Sequence, residues 1–201
     1  MIDKKNPTIF QMIIVLLAIA VVCSAGVAAV YNATKDTIAA QKAQKEQDAL
    51  KKVLPAYDND PIADKVMLDG GLECYVAKNG ADIVGYAVKA SNTDGYNGLV
   101  EVLTGFMPNG DIINTQATVL AETPGLGQKA VEPEFHDQFN GKNPGSFNLS
   151  VKKDGGSVDA ITAATITSRA YSKCVKTAYD ALMQHVGKTP SANSGANASA
   201  N

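Results

Sequence analysis

Tryptophan is absent from the 201 residues, and histidine occurs only as His136 and His185. His136 has acidic neighbours in Glu132, Glu134 and Asp137, but the sequence sets no nucleophile beside it. It reads as a surface helix residue rather than a catalytic base. His185 reads as a favourable charge near a helix C-terminus. The three cysteines, Cys23, Cys74 and Cys174, are widely spaced. That excludes a disulfide-dense scaffold, a CxxC zinc site and an iron–sulfur site built by this chain alone, so no metal site is expected. An excess of basic charge is also lacking. Lys and Arg number 18 against 20 Asp and Glu, a net charge of −2 with a pI of about 5.7. This balance argues against a nucleic-acid binder, whose footprint is a basic surface. The chain has no G-x-G-x-x-G turn in a strand-to-helix setting, so direct NAD binding is not expected.

Charge is missing locally as well. Met12 to Val30 is nineteen residues without a charged side chain, and Ile9 and Phe10 extend the apolar stretch. At about 1.5 Å per residue, Ile9 to Val30 crosses a hydrocarbon layer of roughly 30 Å as a helix. The rival reading is a cleaved signal peptide, with Ala25, Gly26, Ala28 and Ala29 as weak cleavage candidates. The run is longer than a typical signal core, and helix-compatible sequence continues past it, which favours a retained membrane anchor over residues 9–31. Lys4 and Lys5 favour a cytoplasmic position for residues 1–8, but Lys35, Lys42 and Lys45 follow the span and leave the positive-inside signal ambiguous.

Hydrophobic residues make up 45% of the chain, enough for one buried core plus an appendage. Residues 32–55 lack Gly and read as a stalk helix that Pro55 ends. Residues 56–187 read as an α+β domain with a twisted antiparallel sheet packed with helices. Glu73–Lys78 and Ile83–Val88 form a hairpin, followed by strands at Leu99–Phe106 and Ile112–Leu120. A short helix is expected over Glu132–Phe139, a further strand over Phe147–Val151, and one long helix from Thr165 to Val186, closed by Gly187. Residues 188–201 hold no large apolar side chain and read as a disordered tail. Cys74 and Cys174 are compatible with a pair or with two buried thiols, and the latter is favoured.

Two segments stand out chemically. In Glu122-Thr123-Pro124-Gly125-Leu126-Gly127 the glycines let backbone amides approach a ligand closely. The alternative is an ordinary turn. In Asp159-Ala160-Ile161-Thr162-Ala163-Ala164-Thr165-Ile166-Thr167-Ser168, hydroxyl residues cluster where a loop becomes the long helix. A helix N-terminus favours an adjacent negative charge, so a threonine carrying a phosphate suits the place. The alternative is a hydroxyl that merely caps the helix.

Together these segments make the chain similar to the flavin-binding domain shared by the G subunit of the bacterial Rnf complex and the C subunit of sodium-pumping NADH:quinone reductase. The family motif is Asp-x-x-Ser/Thr-Gly-Ala-Ser/Thr-x-Thr. Asp159, Thr162, Ala164, Thr165 and Thr167 match it, and Ala163 stands where the motif has glycine. The Glu-Thr-Pro-Gly-Leu-Gly loop matches throughout, as does Gly95-Tyr96-Asn97-Gly98. Total length favours the Rnf protein.

The resemblance implies covalent FMN, linked through its phosphate to Thr165 by a flavin transferase outside the cytoplasm. It implies an electron-transfer subunit of a membrane complex that couples ferredoxin and NAD oxidoreduction to ion transport, with other membrane subunits as partners. Asp159 and Thr162 are expected to orient the phosphate or serve the transferase, and Lys152 to balance charge. Glu122, Thr123, Gly125, Leu126 and Gly127 are expected to line the flavin, with Tyr96 nearby. Two alternatives stay open: the homologous quinone-reductase protein, and a membrane-anchored ligand-binding module without electron transfer.

Overall fold

The computed structural model describes residues 9–188. The expectations for residues 1–8 and for the tail beyond Lys188 lie outside the described residues. The chain divides into two units, residues 1–45 and 46–201.

The first unit contains most of helix α1 (Ile9–Val53), which continues without a break from the apolar run into the stalk. Among the described residues this is the one helix long and apolar enough to cross a membrane. Its large apolar side chains from Ile9 to Tyr31 are exposed. An exposed apolar surface of that length is stable when lipid covers it.

The second unit is a five-stranded antiparallel sheet in the order β1-β2-β3-β4-β5: Val66–Met67, Glu73–Asn79, Asp82–Gly95, Gly98–Phe106 and Ile112–Leu120. Successive strands pair directly, as short connections allow. Helix α2 (Pro133–His136) and helix α3 (Thr165–Lys188) follow the sheet. Alternation along the strands gives the sheet two apolar faces. Val88, Ala90, Val100, Val102 and Phe106 face α3, which presents Tyr171, Cys174, Val175, Ala178 and Leu182 at helical spacing. Tyr75, Ala77, Ala87 and Leu103 face the other way, against Ala49, Leu50 and Val53 at the end of α1. The last two turns of the expected stalk therefore belong to the core of the second unit.

That junction depends on one glycine. A Cβ at Gly105 would lie 1.8 Å from the carbonyl oxygen of Val53, so any side chain there would push the helix end off the strand. The junction also carries charge. Lys89 Nζ donates to Glu46 and Glu73, and the Tyr75 hydroxyl lies within hydrogen-bond reach of both carboxylates. Hydrogen bonds from Lys65 and Lys89 outweigh burial and hold the Glu73 carboxyl down at about 2. Burial alone would raise Glu46, but Lys89 and Tyr75 hold it below its ordinary value.

The strands expected at Glu73–Lys78, Ile83–Val88, Leu99–Phe106 and Ile112–Leu120 are present, with β3 longer than its alternating core. Three details differ. Phe147–Val151 is not a strand but a bonded loop, in which Asn148 Oδ1 accepts the Ser150 N–H at 3.0 Å; only Val151 bridges, to Val158. Gly187 does not close α3, which runs through Lys188. The short strand β1 carried too few residues to show alternation. Cys74 and Cys174 are buried free thiols, and burial pushes each up to about 12.

Candidate functional site

The loop ahead of α3 is fastened to the helix by Ser168. Its Oγ accepts the Ile161 N–H at 3.0 Å and donates to the Ala164 carbonyl at 3.0 Å. The Ala164 carbonyl also accepts the Ser168 amide, so Ala164 is the helix cap and Thr165 the first helical residue. An alanine cap has no side-chain oxygen to offer the first-turn amides, which leaves them for an anion. Ala163 reaches this cap through a left-handed backbone, φ 62°, and is the one non-glycine residue with positive φ among those described. Glycine adopts that conformation without strain and alanine does not. The motif's preference for glycine at this position therefore has a backbone reason.

The Glu122–Gly127 loop faces this helix start. Gly125 turns it with φ 75°, and the Leu126 and Gln128 amides both donate to the Thr123 carbonyl. Glu122 is buried (6% exposed), and its Oε1 accepts the Tyr96 amide at 3.0 Å. The Asn97 side chain donates to the Ala121 carbonyl at 2.6 Å, tying the β3–β4 turn to the same loop. A Cβ at Gly127 would stand 2.8 Å from Thr167 Oγ1 and 2.9 Å from Glu122 Oε2. Only a glycine lets the loop settle this close to α3.

These segments enclose a cavity of about 510 Å³, within the range typical of cofactor sites. Of the expected residues, Tyr96, Glu122, Thr123, Leu126, Gly127, Ala164 and Thr165 line it. Gly125 shapes the loop without lining the cavity. Asp159 and Thr162 instead line a smaller neighbouring cavity of about 220 Å³, beside Lys129, Glu132 and Phe135. Lys152 is held by Asp159 at 2.7 Å and is not among the lining residues of the larger cavity. Cations on α3 are also paired: Arg169 with Asp154 at 2.7 Å, Lys173 with Asp94 at 2.6 Å and Lys176 with Asp180 at 2.9 Å.

Sequence reasoning left three lining residues out of the expected site: Ala163, Ile166 and Thr167. Thr167 had a signal, since it is the last threonine of the family motif.

Residues 95–180 match the FMN-binding domain family, and residues 1–53 match the RnfG N-terminal region. Over 189 residues the chain is 35% identical to the G subunit of the ion-translocating oxidoreductase complex of Shewanella baltica, covering 87% of this chain and 89% of the relative. Over 185 residues it is 35% identical to the G subunit of the Na(+)-translocating ferredoxin:NAD(+) oxidoreductase complex of Acetobacterium woodii, covering 84% and 88%. The chain belongs to the G-subunit family of ion-translocating oxidoreductase (Rnf) complexes. Its domain has the fold of the C subunit of Na(+)-translocating NADH-quinone reductase from Parabacteroides distasonis, with a TM-score of 0.52 at 18% identity over 73% of this chain and 84% of that one.

The FMN-binding match takes in both walls of the larger cavity, from the Tyr96 turn through the start of α3. This Rnf-family chain fits an FMN there on three structural grounds. Thr165 presents a hydroxyl at a helix start whose cap is an alanine. Thr167 leaves a buried hydroxyl without a partner. The rim is apolar and open, with Tyr96, Leu126 and Ile166 at 72%, 41% and 45% exposure. The one long apolar helix among the described residues fits a single-pass membrane anchor in such a complex.

Proposed function

We propose that this chain is the electron-carrying G subunit of an ion-translocating ferredoxin:NAD oxidoreductase complex, with FMN joined as a phosphoester to Thr165. The observation that carries this reading is the placement of Thr165: first residue of a 24-residue helix, half-buried, and on the wall of the open cavity. The amides of the first turn and the positive end of the helix dipole favour a phosphate on its Oγ. The Thr165 Oγ–P bond forms as a leaving group departs from the phosphorus of the transferase's flavin donor and takes up the hydroxyl proton, so the chain gains one FMN less one water.

The remaining walls divide the work. Leu126, Ile166 and Tyr96 offer apolar surface for a ring, and the loop from Thr123 to Gly127 brings backbone close to it. Lys152, Arg169 and Lys173 are each neutralised by a carboxylate, which supports backbone amides rather than a lysine as the phosphate's main partner. Asp159 and Thr162 face the neighbouring cavity, which supports a role in recognition by the flavin transferase rather than contact with the ring. FMN, when bound, supplies reversible uptake of one or two electrons. The open rim leaves an edge exposed for exchange with other membrane subunits of the complex.

The protein's own contribution is therefore position and permanence. A covalent anchor holds the cofactor at high effective concentration beside its partners. The N-terminus lies in the cytoplasm and the domain on the extracytoplasmic side of the cytoplasmic membrane in this reading. A long domain translocates regardless of its charge.

In-gel flavin fluorescence after denaturation tests the anchor. Chain made together with a flavin transferase should fluoresce, and Thr165→Val should be dark at equal protein loading. A fluorescent Thr165→Val band would place the attachment elsewhere.

A further inference from the structure

Thr167 is 1% exposed, and its Oγ1 has no hydrogen-bond partner, yet it lines the same cavity as Thr165. An orphaned buried hydroxyl costs stability. On α3 it sits at the head of the stripe that continues through Tyr171, Cys174 and Ala178, all core positions. Valine has the same shape and would fill the position without that cost. The hydroxyl therefore points to a partner supplied from the cavity.

Glu122 brings a second polar group to the same spot. One carboxylate oxygen accepts the Tyr96 amide, and the other, like Thr167 Oγ1, lies within 3 Å of where a Cβ on Gly127 would stand. A carboxylate only accepts hydrogen bonds, while a threonine hydroxyl both gives and takes. The ligand group that satisfies both is one rich in hydroxyls.

We propose that Glu122 and Thr167 form a polyol subsite, which binds the sugar-alcohol hydroxyls of the chain between the phosphate on Thr165 and the flavin ring. The inference rests on the Thr165 reading and deepens it. Thr167 lies two residues beyond the anchor, and the exposed apolar rim at Tyr96, Leu126 and Ile166 is left for the ring. The edges of a flavin ring offer mainly acceptors, which a carboxylate repels. Polyol hydroxyls can donate to the Glu122 carboxylate and accept from the Thr167 hydroxyl.

The test uses the full chain in detergent, made with a flavin transferase in cells fed carbon-13-labelled riboflavin. Intact mass first reports whether flavin is attached, and spectra are read on the loaded fraction. Thr167→Val and Glu122→Gln should each move the sugar-alcohol carbon resonances toward those of free FMN, with the ring carbonyl carbons unmoved. Thr167→Ser should restore the wild-type positions. Unloaded Thr167→Val should melt above the unloaded wild type, as expected for removal of an orphaned hydroxyl. Should Thr167→Val fail to fold, Thr167→Ser and Glu122→Gln carry the comparison. Sugar-alcohol carbons that stay put in Glu122→Gln, or ring carbonyl carbons that move in their place, overturn the subsite. A wild-type chain without attached flavin overturns the Thr165 reading instead, and the mass measurement alone separates the two failures.

Discussion

At the scale of single residues, Ala163 is a strained point in the site. Its left-handed φ of 62° costs an L-residue about 1–2 kcal/mol, and glycine gives back part of that through its greater freedom when unfolded. Ala163→Gly should therefore raise stability by about 0.5–1 kcal/mol in urea unfolding. An unchanged or lowered midpoint would mean that the strain is relieved elsewhere. The Lys89 cluster makes a pH prediction. Lys65 and Lys89 depress Glu73 from 4.5 to about 2, and Lys89 and Tyr75 depress Glu46. A depressed carboxyl lends stability above its unfolded value and loses it as pH falls toward the folded one. Stability should thus decline from about pH 4.5 toward pH 2, and Glu73→Gln should flatten that decline. Much of the candidate site was legible at this scale only through the family resemblance. Local chemistry left Thr165 and Ala164 open between a helix cap and a phosphate site, and the Glu122–Gly127 loop open between a turn and a ligand loop. The shared motif made them one expected site. That Asp159 and Thr162 face a different cavity was not legible. Direction depends on the left-handed turn at Ala163, which alanine itself does not announce; the motif's glycine at this position is the sequence trace of it.

At the scale of elements, the strands were legible because both faces of the sheet are buried in alternation, and each hairpin turns at Gly, Asn or Asp. Phe147–Val151 misled because alternating Phe147, Leu149 and Val151 also suits a loop whose polar residues bond locally, as Asn148 does with Ser150. Gly187 misled because a glycine near a helix end stops it only when the chain turns left-handed there, and its φ is not positive. Residues 46–53 read as stalk because their apolar spacing does not reveal which surface covers them. The answer lies across the chain, at Gly105. Gly105→Ala should destabilise the domain by about 3 kcal/mol, as overpacking against backbone does, with Ala49, Leu50 and Val53 losing amide protection in hydrogen exchange. Retained protection would show that the helix end docks without needing the gap.

At the scale of the whole molecule, the family supports the role of a subunit in an ion-translocating oxidoreductase complex, and the apolar helix fits a membrane anchor for it. The proposed orientation puts Thr165 outside the cytoplasm. A cysteine introduced at exposed Asp154 should react with a membrane-impermeant maleimide in intact spheroplasts; protection until lysis would reverse the orientation. Length and apolarity made the anchor legible, whereas lysine counting left its direction open, because positive charges flank both ends. The proposed function turns on a single bond, which intact mass spectrometry of the full chain made beside a flavin transferase reads directly. The wild type should be heavier than its sequence by one FMN less one water, and Thr165→Val should have its bare mass. A bare wild type, or an adduct that survives in Thr165→Val, would contradict the account.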